Sequence, residues 1–355
     1  MGTVFDYLDW RGDLSFEESD VTEVDALILS LVSYLDLCKI APASASATGI
    51  AFLSAIKKYV NTHKGEPLGL ITPYETVSLA TRAARTDRYG CSVRVIGHVN
   101  EISDDAQMQF SATTYLIRDD ACFIAFRGTD DTITGWKENF NMSFMSPVPA
   151  QARAVSYLSE IAAAHADKRI YIGGHSKGGN LAVYAAVRCD PLIKGRIQAV
   201  YNLDGPGFTL DFIQSEEYSA TRRLIRTLVP QSSVVGMLLE HEGSYEVIQS
   251  RSSGLLQHNG FSWEVMGGSF VHTDSVTEQS KRVDRTIKEW LAEKSVEERQ
   301  QILDTLYEIL DAVGAKTLTD LSTEKLKLVK AWNNLDSSSR AYIRRCLRLI
   351  IKESK

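Results

Sequence analysis

No run in this 355-residue chain approaches the ~20 consecutive apolar residues that span a bilayer, so a transmembrane helix is not expected. The first thirteen residues are mixed and acidic, without the cationic start and apolar stretch of a secretory leader. Cysteine is scarce: Cys38, Cys91, Cys122, Cys189 and Cys346 are odd in number, widely scattered and never in a C-x-x-C pair. That pattern supports neither a disulfide framework nor a zinc site, and it fits reduced, mostly buried thiols in a cytoplasmic protein. The net charge of −6, with no basic stripe to offset it, argues against a nucleic-acid partner. Walker A, G-x-G-x-x-G and H-E-x-x-H are all missing. The acids Asp13, Asp20, Asp25, Asp130 and Asp131 are dispersed and read as caps and turns. Nothing here calls for a metal or an organic cofactor.

What the chain does contain is an alternation of short apolar runs with helical periodicity. Residues 1–60 read as mostly helical, and Val24–Leu35 places apolar side chains at nearly every turn. Residues 93–101 and 107–118 are β-rich on either side of a turn at 103–105. The unbroken run Ala121–Phe126 suits a central strand buried on both faces. A loop-like stretch at 135–150, a helix at about 151–165, a strand at 169–173 and a helix to about 188 follow. Further strands are expected at 197–203, 223–229 and 245–250. Such alternation predicts an α/β protein with a mostly parallel sheet wrapped by helices. The character changes near 275. From there on the chain is proline-free and glycine-poor, with a capping box at Ser295–Glu298 and apolar residues at helical spacing over 302–313. We therefore divide the chain into residues 1–275, which include a helical extension over about 1–65, and a helical appendage over 276–355. The last helix is basic through Arg340, Arg344, Arg345, Arg348 and Lys352, which reads as a solvated face or as a docking surface for a protein partner.

The most informative segment is Gly174-His175-Ser176-Lys177-Gly178, between the run 169–173 and the helical pattern from Gly179. Strand, sharp glycine-flanked turn and helix make up a nucleophile elbow, which lifts a serine hydroxyl above the sheet at the positive end of a helix. A serine needs a base. Three histidines follow it: His241 among acids in what reads as an exposed loop, His258 in the turn-rich stretch 254–263, and His272 near the domain junction. His258 is the preferred base, and His175 is expected to pack and hydrogen-bond beneath the elbow. Acyl transfer also needs two backbone N–H donors for the developing oxyanion. Lys177, directly after the serine, offers one. Thr129, in the turn Phe126-Arg127-Gly128-Thr129 that closes the central strand, offers the other.

Phe126-Arg127-Gly128-Thr129 with Trp136, followed by Gly174-His-Ser-Lys-Gly-Gly179-Asn-Leu-Ala, resembles the class 3 (fungal-type) lipases of the α/β-hydrolase fold over about residues 90–265. The segments Phe5–Arg11 and Leu31–Leu35, and Gln257-His258 with Trp263, further resemble a largely uncharacterised bacterial branch. The resemblance implies a serine esterase or lipase-like enzyme that needs no cofactor. It carries the nucleophile onto Ser176, the base onto His258 and the oxyanion donors onto Thr129 and Lys177. It also implies a lid over residues 130–150, which Phe140, Met142, Phe144 and Met145 would suit.

Two departures stand out. The residue after the serine is usually apolar, whereas here it is Lys177, a cation near the site that either favours anionic groups or reaches solvent. The lipase pattern also places an acid after the strand at 223–229, and Leu228-Val-Pro-Gln-Ser-Ser233 has no carboxylate there. Ser232 or Ser233 takes that slot. Asp204, which closes the strand after the nucleophile helix, is the best alternative acid, with Glu240, Glu242 and Glu246 weaker. Two function classes follow: a hydrolase of carboxylic esters, lipid esters among them, or a degenerate hydrolase that binds an acyl ligand or a protein partner without turnover. A thioesterase or peptidase on the same fold is a third, because an elbow does not define the leaving group.

Overall fold

The computed structural model describes residues 1–64, 68–69, 72–241, 245–292, 295, 297–301 and 315–323. The apolar pattern over 302–313 and the basic last helix lie outside the described residues.

A nine-stranded sheet runs through the molecule in the order β1-β2-β3-β4-β5-β6-β7-β8-β11. Its strands are β1 (Ile50–Ala51), β2 (Arg94–Ser103), β3 (Met108–Arg118), β4 (Ala121–Phe126), β5 (Arg169–His175), β6 (Ile197–Leu203), β7 (Ile225–Pro230), β8 (Tyr245–Ile248) and β11 (His272–Thr273); β9 (Val265–Met266) and β10 (Ser269–Phe270) form a separate hairpin. The fold is α/β as expected, with a parallel centre and antiparallel flanks. The pairs from β4 to β8 are parallel, whereas β1 to β4 and the β8–β11 edge are antiparallel. Loop length decides this. The turns at 104–107 and 119–120 are far too short for a crossover, so β2, β3 and β4 are hairpins, while β4 to β5 is bridged by two helices.

On one face lie α1 (Val4–Arg11), α2 (Glu23–Val32), α3 (Phe52–Thr62) and α4 (Glu75–Ala83). The other carries α5 (Ile133–Asn141), α6 (Pro149–Ala164) and α7 (Lys177–Arg188), with the short helices α8 (Pro191–Lys194), α9 (Leu210–Ile213) and α10 (Glu216–Thr221) beside them. Strand β4 shows why its sequence is apolar throughout: Ala121, Phe123 and Ala125 enter the first core and Cys122, Ile124 and Phe126 the second. The N-terminal helices are locked onto this body by a buried charge cluster. Arg88 donates from Nε and Nη2 to Asp25 at 2.8 and 2.5 Å, and neither side chain is exposed. Tyr89 adds its hydroxyl to Asp25 at 2.5 Å.

The stretch at 135–150 is not all loop. Thr132 caps the first turn of α5 through Gly135 N–H at 3.2 Å, and Gly135 and Asn141 masked a helix that begins at Ile133. After the sheet, α11 (Glu278–Ala292) and a short helix at Leu318–Thr323 are described. Ser295 and Glu298 form the expected capping box, with bonds of 2.8 and 3.1 Å. Among the described residues, no helix is long and apolar enough to cross a membrane.

Candidate active site

Ser176 stands between β5 and α7 with φ 60° and ψ −134°. A non-glycine residue rarely adopts that conformation, which costs about 1–3 kcal/mol and persists only where the surroundings impose it. Here they do. The turn is drawn so tight that a Cβ on Gly178 would strike the carbonyl group of Phe126. A Cβ on Gly128 would meet the His175 carbonyl oxygen at 2.7 Å and Ser176 Cβ at 3.1 Å, so the loop after β4 can approach the elbow only because that position is glycine.

Asp204 lies just past β6, the strand next to β5, and also has a positive φ, 53°. Its carboxylate is fully buried. One oxygen accepts from His258 Nδ1 at 2.6 Å and the other from the Ser233 hydroxyl at 2.5 Å. Ser233 in turn accepts Gly236 N–H at 3.0 Å. A serine therefore does stand near the slot where the lipase pattern has an acid, and it supports the carboxylate that Asp204 brings from the neighbouring strand. The adjacent Ser232 instead donates its N–H to Gln257 Oε1 at 2.8 Å, and the Gln257 carbonyl accepts Trp263 Nε1–H at 2.8 Å. These bonds shape the turn at Gly254–His258 that presents His258, which is about a quarter exposed.

His175 packs beneath this arrangement. Its Nε2–H donates to the His258 carbonyl at 2.7 Å, its Nδ1 faces the Tyr34 hydroxyl at 3.3 Å, and its ring centroid lies 4.5 Å from that of His258. The carbonyl acceptor fixes the proton on Nε2 and leaves Nδ1 to accept from Tyr34. Burial, reinforced by neighbouring His258, lowers its pKa to about 3, so it is neutral at any ordinary pH. The elbow thus grips the histidine loop through the His175 ring, which bonds the His258 carbonyl.

Thr129 follows β4 and is buried; its hydroxyl accepts Asn139 Nδ2–H at 2.6 Å. Lys177 is the first residue of α7, so its N–H has no acceptor within the helix. The Lys177 side chain corrects both expectations for it. It neither reaches solvent nor lies free beside the site: Nζ donates to the Gln109 carbonyl and Oε1, both at 2.6 Å, and to Glu138 Oε2 at 3.0 Å, with lysine and glutamate almost wholly buried. Burial lowers its pKa, and Glu138 opposes the shift.

The other candidates fall elsewhere. His272 lies 3.3 Å from Glu23 and 3.5 Å from Glu246 at the sheet edge. His241 is not in an exposed loop but largely buried against Tyr245, which lowers its pKa to about 4. Glu240 pairs with Lys288 and Glu246 with Arg226, while Glu242 lies outside the described residues. Among the described residues, two groups have the composition of metal ligands. In Glu23, Glu246 and His272 both glutamates already pair with the Arg226 guanidinium, and in Asp36, Cys38 and His98 the Leu37 N–H donates to the His98 Nε2 lone pair at 3.0 Å. The residues missed in the sequence are Glu138, Asn139 and Tyr34. A lysine directly after Ser176 was the available signal for the first, since a buried ammonium needs a carboxylate.

A family model described as Mbeg1-like matches residues 83–308, well over half the chain. The chain belongs to the Mbeg1-like family. No curated protein matches it. Among solved structures, this Mbeg1-like chain is similar to lipase II from Rhizopus niveus (13% identity, 64% of this chain and 81% of that one, TM-score 0.40). It is also similar to an MDLA mutant from Penicillium cyclopium (15%, 74% and 88%, TM-score 0.38) and to a Rhizomucor miehei lipase propeptide complex (15%, TM-score 0.34). It covers 44% of its own length and 57% of the chain in that last match.

Proposed function

We propose that the protein is a serine hydrolase that cleaves carboxylic esters, lipid esters among them, through an acyl-enzyme. Ser176 attacks the carbonyl carbon while His258 Nε2 takes its proton. Asp204 holds the imidazole with its proton on Nδ1 and stabilises the charge that develops there. The N–H groups of Lys177 and Thr129 receive the oxyanion. His258 then returns the proton to the leaving alkoxide, and water repeats the sequence on the acyl-enzyme to release the acid. Leu255 and Leu256, both exposed and just before His258, offer apolar surface for an acyl or alkyl group.

The observation that carries this reading is the 2.6 Å bond between His258 Nδ1 and the buried Asp204, with the His258 carbonyl held by the ring of His175, the residue beside a conformationally strained Ser176. A fluorophosphonate probe should label the wild type and leave Ser176→Ala unlabelled, and short p-nitrophenyl esters should be hydrolysed by the former alone. Equal labelling of both proteins, or hydrolysis indifferent to the substitution, would leave binding without turnover as the better account.

A further inference from the structure

Consecutive residues of α5 hold both groups assigned to the oxyanion. Asn139 Nδ2 donates to the Thr129 hydroxyl at 2.6 Å, and Glu138 Oε2 accepts from Lys177 Nζ at 3.0 Å. Both oxygens of the Glu138 carboxylate are engaged. Oε2 also accepts Gln109 N–H at 3.0 Å and Oε1 accepts Ala150 N–H at 2.8 Å, so one side chain joins β3, α5, the start of α6 and the start of α7. Glu138 and the Lys177 side chain are 0% and 1% exposed.

The flanks of α5 are tied as well. Ile133 N–H donates to the Lys316 carbonyl and Leu318 N–H to the Asp131 carbonyl, both at 2.9 Å. Thr319 donates its hydroxyl to Asp131 at 2.5 Å, and past the helix Arg299 Nη1 reaches the Ser143 carbonyl at 2.9 Å.

A lid must leave its seat. If α5 left, the buried Lys177 ammonium would lose its carboxylate. Asp130, the other acid that acts on it, is already engaged by Arg127 at 2.7 Å and by the Thr132 hydroxyl at 2.5 Å. An unpaired buried charge is far costlier than the pair it comes from. Motion of α5 would also release Thr129 at the moment an oxyanion donor must be in place, and preorganised donors stabilise the transition state because they do not reorganise.

We propose that α5 is a fixed clamp on the oxyanion site and not a displaceable lid, so that the enzyme acts on esters dispersed as single molecules and gains nothing from a lipid–water interface. Glu138 and Asn139 are positioning residues. The inference rests on the serine-hydrolase reading for its catalytic part and on packing alone for its mechanical part, and the experiment separates the two.

Rates on tributyrin should saturate smoothly as its concentration passes the solubility limit; an abrupt rise at that limit would overturn the proposal. Asn139→Ala and Thr129→Val should each lower kcat about 10- to 100-fold with KM within about twofold, in line with the loss of one oxyanion donor or less. The double variant should be no worse than either single one, and Thr129→Ser should restore most of the rate. Independent, multiplying losses, or none, would refute the tie. Amide hydrogen exchange of the full chain covers the mechanical part whatever the activity. Residues 133–141 should stay as protected with a tributyrin emulsion present as without it, and accelerated exchange there would make α5 a lid. Absence of any Ser176-dependent turnover would overturn the hydrolase reading, and the exchange result would still decide whether the helix is fixed.

Discussion

Replacing Asp204 by asparagine tests the candidate site with the least disturbance of shape. The two carboxylate oxygens now face two donors, His258 Nδ1–H and the Ser233 hydroxyl. An amide can satisfy both neighbours in one of two ways. With its NH2 toward Ser233, that hydroxyl, which already accepts Gly236 N–H at 3.0 Å, must accept twice, and its own buried proton is left without an acceptor at a cost of about 1–3 kcal/mol. With its NH2 toward His258, every bond is kept, provided the imidazole moves its proton from Nδ1 to Nε2. The second arrangement should prevail, and it leaves no lone pair to receive the serine proton. The expected result is a fall in kcat of about 10³- to 10⁴-fold, equivalent to about 4–5.5 kcal/mol of activation free energy, with KM little changed. Because hydrogen bonding is preserved, the urea midpoint should move by no more than about 1 kcal/mol in equivalent stability. Steady-state hydrolysis of p-nitrophenyl butyrate and urea unfolding followed by fluorescence measure both quantities. A variant retaining more than a tenth of the wild-type kcat would show that Asp204 does not orient the base, and the reasoning from tautomers would fall with it.

Acid should destabilise the protein through two histidines kept neutral by burial. His175 and His241 have pKa values lowered to about 3 and about 4 from 6.5, so below pH 6.5 the unfolded chain binds protons that the folded one refuses. Each contributes stability that is complete above pH 6.5 and is lost as pH falls toward its folded pKa, about 2 kcal/mol each by pH 5. His241→Phe should show a shallower loss between pH 7 and 4.5 in urea titrations; an unchanged slope would contradict the assignment. In the N-terminal layer, Asp25→Asn strips the charge from a carboxylate that receives Arg88 and Tyr89 inside the protein. It should cost about 3–5 kcal/mol, seen as a lower urea midpoint, and a shift below 1 kcal/mol would mean that water reaches the Arg88 guanidinium.

Much of the fold was legible because β4, β5 and β6 are short apolar runs bounded by turns, and a strand buried on both faces leaves that pattern without ambiguity. The sheet's mixed character could be read only from the brevity of the 104–107 and 119–120 turns, which alternation of elements does not register. Helix α5 escaped because glycine and asparagine lower its propensity, and what holds it is tertiary: a buried carboxylate bonded to residues 29 and 39 positions away. For the site, glycine spacing around Ser176 advertised the elbow, since the turn is sterically impossible otherwise. The contact of Ser233 with Asp204 had no local sign, being made by two strands whose adjacency exists only in the folded sheet.

The hydrogen bond from the His175 ring to the His258 carbonyl makes the loop at 250–263 and the elbow a matched pair. Transplanting that loop from a relative, or grafting this elbow into another scaffold, should give a well-folded chimera only when His175 travels with it, together with Tyr34 from the N-terminal layer. Cassette exchange in this protein therefore has to respect three distant stretches of chain as a single unit of inheritance.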